Sequence, residues 1–248
     1  MKILIITLSL CVLPVLASSS PCAAGSYSSY EALSSGCSIG DATFSNFSSL
    51  SFVNSPGVTP LNADEIEVIP TGIPTDASLT FVYLNANGAD APITLSSNGQ
   101  IFSFGLNFQI LVTPGTLAGF QMASTFSNTA PGSVSTTKTI QPEGGSTLDA
   151  STVSDGGVSN AMGTYAGALV PVSGVGTFLV TDTSSLQAQT GSVTQAGFVN
   201  SFVLDPTTST ADPAAVPEST SLALVGSALI FLSLISSSTR QRKRAQVR

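Results

Sequence analysis

Three sets of residues in this 248-residue chain have types and spacings that could do chemistry. The first is the cysteine pair Cys22 and Cys37. The second is the acidic run Asp64, Glu65 and Glu67. The third is the oxygen-rich stretch Asn85, Asn87 and Asp90 around Gly88. Histidine is absent from the whole chain. That removes Ser-His-Asp and Cys-His catalysis, and His-containing zinc sites with them. A catalytic thiolate needs an activating base, and the usual one is missing. No glycine-rich phosphate loop follows a strand pattern, so nucleotide binding has no support.

The acidic run admits one sharp reading and one plain one. Two carboxylates flanking a cleft can hydrolyse a glycosidic bond. In a strand, however, Glu65 and Glu67 share the outer face while Ile66 and Val68 point inward, which makes a solvated edge the expected role. The stretch 85–90 has some of the oxygen spacing of a calcium loop but lacks the leading aspartate and the distal glutamate. An asparagine-rich turn is the expectation there. No catalytic residue, metal site or cofactor is therefore expected.

The elements that would position these residues read as β. Between 100 and 112, Phe102, Phe104, Leu106, Phe108, Ile110 and Val112 alternate with Ser103, Gly105, Asn107 and Gln109. Strict period two predicts a half-buried antiparallel strand, with the phenylalanines in a core rather than in a ligand stripe. Further strands are expected at 65–69, 78–84, 119–126, 133–140, 176–182 and 197–204. Turn signals fall at 54–57, 70–72, 87–88, 98–99, 113–115, 130–132, 143–145 and 155–157. Short strands at this spacing predict a mainly β, antiparallel β-sandwich-like exterior domain spanning 18–204. Residues 205–215, rich in Thr, Pro and Ala, read as a linker.

Charge and hydropathy are arranged by position. Only 8% of residues are charged, and the net charge is −7. Of seven basic residues, five lie in the last nine positions: Arg240, Arg242, Lys243, Arg244 and Arg248. Lys2 stands at the other end, and Lys138 is the only basic residue between. All acidic residues fall from Glu31 to Glu218. An acidic middle excludes nucleic acid as a partner, because such binding rests on Lys and Arg contacts to phosphate.

Residues 1–17 have one basic residue, an apolar run and a small-residue end at Ala17, the pattern of a secretory signal peptide. Cleavage after Ala24 is the rival site. Cys11 lies in no convincing lipobox. Near the other end, 220–238 is uncharged and mostly apolar, just long enough for one transmembrane helix. The basic tail 240–248 would hold the C-terminus in the cytoplasm. The exterior domain would then face the periplasm.

Val216, Pro217 and Glu218, the apolar segment and the Arg-rich end together resemble the PEP-CTERM sorting signal, with Ser219 where the family's second proline usually stands. The resemblance implies handling by an exosortase-type sorting enzyme in the inner membrane of a Gram-negative bacterium that makes extracellular polysaccharide. A second likeness covers Cys22, Tyr30, Leu33, Gly36, Cys37, Ile39, Gly40, Asp41, Phe44, Asn46, Phe47 and Ser48, which are similar to the opening of many such surface proteins. That likeness favours cleavage after Ala17, since it keeps Cys22. Cys22 and Cys37 are then the only cysteines left, and in an oxidising periplasm a disulfide between them is expected.

The expected role is a non-enzymatic, structural one in the envelope or extracellular polysaccharide matrix. The alternative is a carbohydrate-binding or adhesion module. Tryptophan is absent, so Tyr27, Tyr30, Tyr83 and Tyr165 are the residues available to stack on sugars. A carboxylate-dependent hydrolase is a third class.

Overall fold

The computed structural model describes residues 19–205, except 49, 74, 97, 98, 130, 156 and 157 and the side chains of 114 and 175. The expected signal peptide with its cleavage site at Ala17, the sorting motif Val216, Pro217 and Glu218, the apolar segment 220–238 and the basic tail Arg240, Arg242, Lys243 and Arg244 lie outside the described residues. Among the described residues no helix is long and apolar enough to cross a membrane.

The described chain is mainly β, as the alternation predicts. In order it forms β1 (Ser20–Pro21), β2 (Gly25–Ser26), helix α1 (Tyr27–Glu31), β3 (Cys37–Ile39), β4 (Ala42–Ser45) and β5 (Ser51–Asn54). A 3₁₀ turn (Ala63–Glu65) leads into β6 (Ile66–Ile73), β7 (Asp76–Tyr83) and β8 (Ile93–Leu95). Then come β9 (Ile101–Asn128), β10 (Ser133–Pro142), β11 (Asp149–Ser154), β12 (Asn160–Ala166), β13 (Val170–Gln187) and β14 (Val193–Asp205). Asp205, read as the start of the linker, is the last residue of β14.

Two layers share these strands. In the first, β11 pairs β10, β10 pairs β13, and β13 pairs the front half of β9. The far edge of that half is covered end to end by β5 and β4, with β3 and β1 beyond β4. In the second layer, β12 and β14 flank the back half of β9, followed by β7, β6 and β2. One hydrogen-bonded sheet of fourteen strands thus folds over on itself as a sandwich.

The fold-over explains one departure from the sequence reading. Residues 113–115 were expected to end a strand in a turn, yet β9 runs through them as a corner. Gly115 has φ +113°, and the neighbouring β13 bulges beside it, where Gly176 has φ +98°. Glycine reaches that region without a Cβ penalty. Two adjacent strands therefore bend together and pass from one layer to the other. A second departure lies at 70–72, which stays inside β6, and the reversal falls between Ile73 and Asp76. Pro70 is tolerated because β2 pairs β6 only at Glu67 and Val68, leaving no partner on that side at Pro70.

The core lies between the layers. The inward residues of β9 named above are all buried. Across the sandwich, Phe104 meets Phe198 at 5.8 Å between ring centres, Phe108 meets Phe202 at 6.2 Å, and Phe44 meets Phe202 at 5.6 Å. Edge-to-face and tilted rings at such distances are favoured arrangements. The phenylalanines are core, as the period-two reading holds.

Candidate functional site

An open groove of about 590 Å³ lies beside α1, the 3₁₀ turn and β5. It is lined by the polar Glu31, Asn62 and Glu65 and by the apolar Leu50, Phe52, Pro60 and Leu61. Glu31 is the last residue of α1, whose first turn is capped by the Ser26 hydroxyl accepting from the Ser29 N–H. Glu65 closes the 3₁₀ turn through a capping box. The Asn62 side chain accepts from the Asp64 N–H at 3.2 Å, and the Glu65 carboxylate accepts from the Asn62 N–H at 3.1 Å. The Ser28 hydroxyl donates to Asp64 and ties the two short elements together. Burial, and then the nearby Asp64 carboxylate, push the Glu31 carboxyl up from its ordinary value.

The structure separates the acidic run. Ile66 and Val68 are fully buried and Glu67 faces outward, as expected. Glu65, however, sits in the turn rather than on a strand face, so it does not share a face with Glu67. It joins Glu31, a residue the sequence reading did not single out because 34 positions separate the two and no local spacing relates them. Phe52 was missed for a similar reason: β5 is four residues long and too short to show a period.

The other candidates fall into place plainly. The Asn85 side chain accepts from the N–H groups of Asn87 at 2.9 Å and Ala89 at 3.1 Å, which makes the stretch a turn closed on itself. Among the described residues no group of three or more acidic or cysteine side chains is placed to hold a metal ion. Cys22 and Cys37 form the expected disulfide. The tyrosines do not offer a stacking platform: Tyr27, Tyr30 and Tyr83 are core residues, and Tyr165 packs on Phe126 at 4.6 Å with its hydroxyl donating to the Ala161 carbonyl.

A polar seam crosses the interior between β10, β13, β14 and the back of β9. The Gln195 amide nitrogen donates to Ser124 at 2.8 Å and Thr136 at 2.9 Å. Its oxygen accepts from Ser184 at 2.9 Å and Tyr83 at 3.2 Å, so this buried amide is fully satisfied. Further along, Lys138, Asp182 and Asn200 are all buried. The Lys138 ammonium donates to the backbone carbonyls of Gln121 at 3.0 Å and Ser201 at 3.1 Å and lies 3.9 Å from the centre of the Phe202 ring. The Asn200 amide nitrogen donates to Asp182 Oδ2. Asp182 Oδ1 and Asn200 Oδ1 have no hydrogen-bond partner. Desolvation lowers the Lys138 amine below its usual range, with Asp182 opposing. Desolvation raises the Asp182 carboxyl, with Lys138 and then Asn200 opposing. The signal for this burial was present in the sequence: Lys138 is in phase with Val134, Thr136 and Ile140 on one face of β10.

No family model matches this chain, and no curated protein does. Solved structures match at low similarity. The carbohydrate-binding module TmCBM61 in complex with β-1,4-galactotriose matches with a TM-score of 0.29 and 10% identity, over 61% of this chain and 86% of that one. The CBM36-1 domain of a multidomain xylanase from the hindgut metagenome of Trinervitermes trinervoides matches with a TM-score of 0.23 and 13% identity, over 68% of this chain and 100% of that one. The enzymatically active domain of bacteriophage CBA120 tailspike protein 4 matches with a TM-score of 0.26 and 9% identity, over 65% of this chain and 20% of that one. Likenesses this distant carry no argument about what the chain does.

Proposed function

We propose that this chain is an exported, non-catalytic surface module whose groove holds a neutral, hydroxyl-rich saccharide segment of a surrounding polysaccharide. The observation that carries the reading is the groove itself, lined by Glu31, Asn62 and Glu65 together with Phe52 and Pro60. Carboxylates and amide oxygens accept hydroxyl hydrogens, while an aromatic ring and a proline ring offer apolar faces to sugar C–H groups. Charge selects among glycans. Lys138, the only basic residue between Lys2 and Arg240, is buried, so the outer ionic surface of the described domain is acidic. Such a surface repels uronate- or sulfate-bearing chains. Delivery rests on the signal peptide and on the PEP-CTERM-like end, with the exosortase-type enzyme and the inner membrane as partners.

The test is titration with neutral and acidic oligosaccharides, followed by calorimetry or by retardation in polysaccharide gels. Binding of a neutral glycan is expected, with Phe52→Ala weakening it by about tenfold. If no neutral glycan binds, or if Phe52→Ala binds as well as wild type, the groove is not the site.

A further inference from the structure

Lys138, Asp182 and Asn200 bring an amine, a carboxyl and a primary amide together inside a water-excluded sandwich, and the groove makes no use of them. An ordinary buried lysine is stabilised by a carboxylate on its ammonium. Here the ammonium instead rests on two neutral carbonyls and an aromatic face in the opposite layer, at Gln121, Ser201 and Phe202. Ser201 directly follows Asn200, whose side chain points into the same interior. Asp182 is the direct cross-strand partner of Lys138, and it accepts from the Asn200 amide.

The two unpartnered oxygens are informative. A carboxylate beside an amide can only accept, which leaves the amide oxygen with nothing to accept from. A protonated carboxyl can accept from the amide N–H and donate to an amide oxygen. Burial favours that neutral form of Asp182 and, equally, the neutral amine of Lys138. A neutral amine is a nucleophile, and an amide carbonyl hydrogen-bonded to an acid is an electrophile.

We propose that Lys138 and Asn200 become joined by an amide bond that ties the two layers of the sandwich, formed by the chain itself with Asp182 as the acid–base group. The lone pair of Lys138 Nζ adds to Asn200 Cγ, and the Nζ–Cγ bond forms. Asp182 gives its proton toward the amide and takes one from the added amine. The Cγ–Nδ2 bond of Asn200 then breaks and ammonia leaves carrying that proton. Asp182 ends as it began, so the step needs no oxidant, reductant or co-reactant. Asn200 rather than Asp182 is the acyl donor, because Asp182 lies on the strand next to Lys138 while the Lys138 amine already reaches across to β14. The bond does not depend on the groove binding anything.

The sequence supplies a sharp assay. Lys138 is the only site for trypsin between Lys2 and Arg240, and an acylated lysine is not cut. The full chain is purified, reduced, denatured and digested, and its mass is measured. The expected result is no cleavage after Lys138 and a single fragment lighter by one ammonia, which holds both 138 and 200 and carries an internal link between them that tandem mass spectrometry locates. Cleavage after Lys138 at full mass overturns the proposal. So does loss of water instead of ammonia, which would place the bond on Asp182. Loss of ammonia with cleavage intact also overturns it, since that marks ring closure at another asparagine. Asp182→Ala is expected to restore both cleavage and mass, and a variant still resistant to trypsin would remove Asp182 from its role. The wild-type measurement stands even if that variant folds poorly.

Discussion

Gly197 lies on β14 where that strand pairs β7, opposite Val82. A Cβ built there would lie 2.1 Å from the Phe81 carbonyl oxygen, a backbone atom that cannot swing aside. Gly197→Ala is therefore expected to cost about 2 kcal/mol, read as a lower urea midpoint. An unchanged midpoint would show that the two strands can separate freely. Tyrosine burial gives a second prediction at this scale. Burial raises the hydroxyls of Tyr27 and Tyr83 and brings Tyr30 to about 12, against 10.0 for the free side chain. A phenol with a raised folded pKa binds its proton more tightly when folded. Its contribution is intact below pH 10 and is lost as pH rises beyond that value. Most tyrosinate absorbance should then appear together with the loss of sheet signal in circular dichroism. Tyrosinate forming in an intact sheet would contradict the packing of these rings. The inward turn of Lys138 could be read from its phase in β10, but its neighbours Ser201 and Asn200 could not, because they come from 62 or more positions away.

Short elements at the N-terminus depend on their links. β1 is two residues long and pairs only β3, through Ser20 with Cys37 and Pro21 with Ser38. Cys22 follows it directly, so the disulfide to Cys37 pins the end of β1 to β3. Behind it, Tyr30 packs on Phe47 at 5.0 Å and Phe47 stacks on Phe108 at 5.3 Å. Cross-linking a loop of this length contributes about 3 kcal/mol in the chain-entropy model. Reduction, or Cys22→Ser with Cys37→Ser, should lower the unfolding free energy by about that amount. Alkylation of two free thiols in the unreduced, exported protein would deny the bond altogether. At this scale β10, β13 and β14 were legible because polar and apolar residues alternate along them. β11 and β12 were not anticipated, because they lie at sheet edges where few side chains are buried and the alternation is faint.

At the scale of the whole molecule, the sorting proposal is tested by processing. A helix at 220–238 would anchor the chain whether or not any enzyme reads the motif before it, so anchoring alone distinguishes nothing. Processing does. On the sorting proposal, Pro217, with its fixed φ and no N–H, would hold the site extended ahead of a helix, and Glu218 would offer a charge for selection. In a host with an exosortase, wild type is expected to lose its helix and tail and leave the inner membrane, while Glu218→Ala keeps both. Equal persistence of the full-length chain in the two would leave a tail-anchored protein and no sorting. The saccharide reading and the sorting reading fail separately, since one rests on Phe52 and Glu31 and the other on Pro217 and Glu218.

The sequence by itself determined a β-rich domain with a phenylalanine core. It also excluded histidine chemistry. Those follow from period, composition and spacing, which are local or global properties of the chain. Tertiary structure alone decided that β9 and β13 turn a corner at Gly115 and Gly176 instead of stopping. It alone put Glu31 beside Glu65, and Lys138 beside Asp182 and within reach of β14. Each of those is a contact between distant segments. Long-range strand register, set by burial of one whole face, chooses the partners, and no local pattern encodes them.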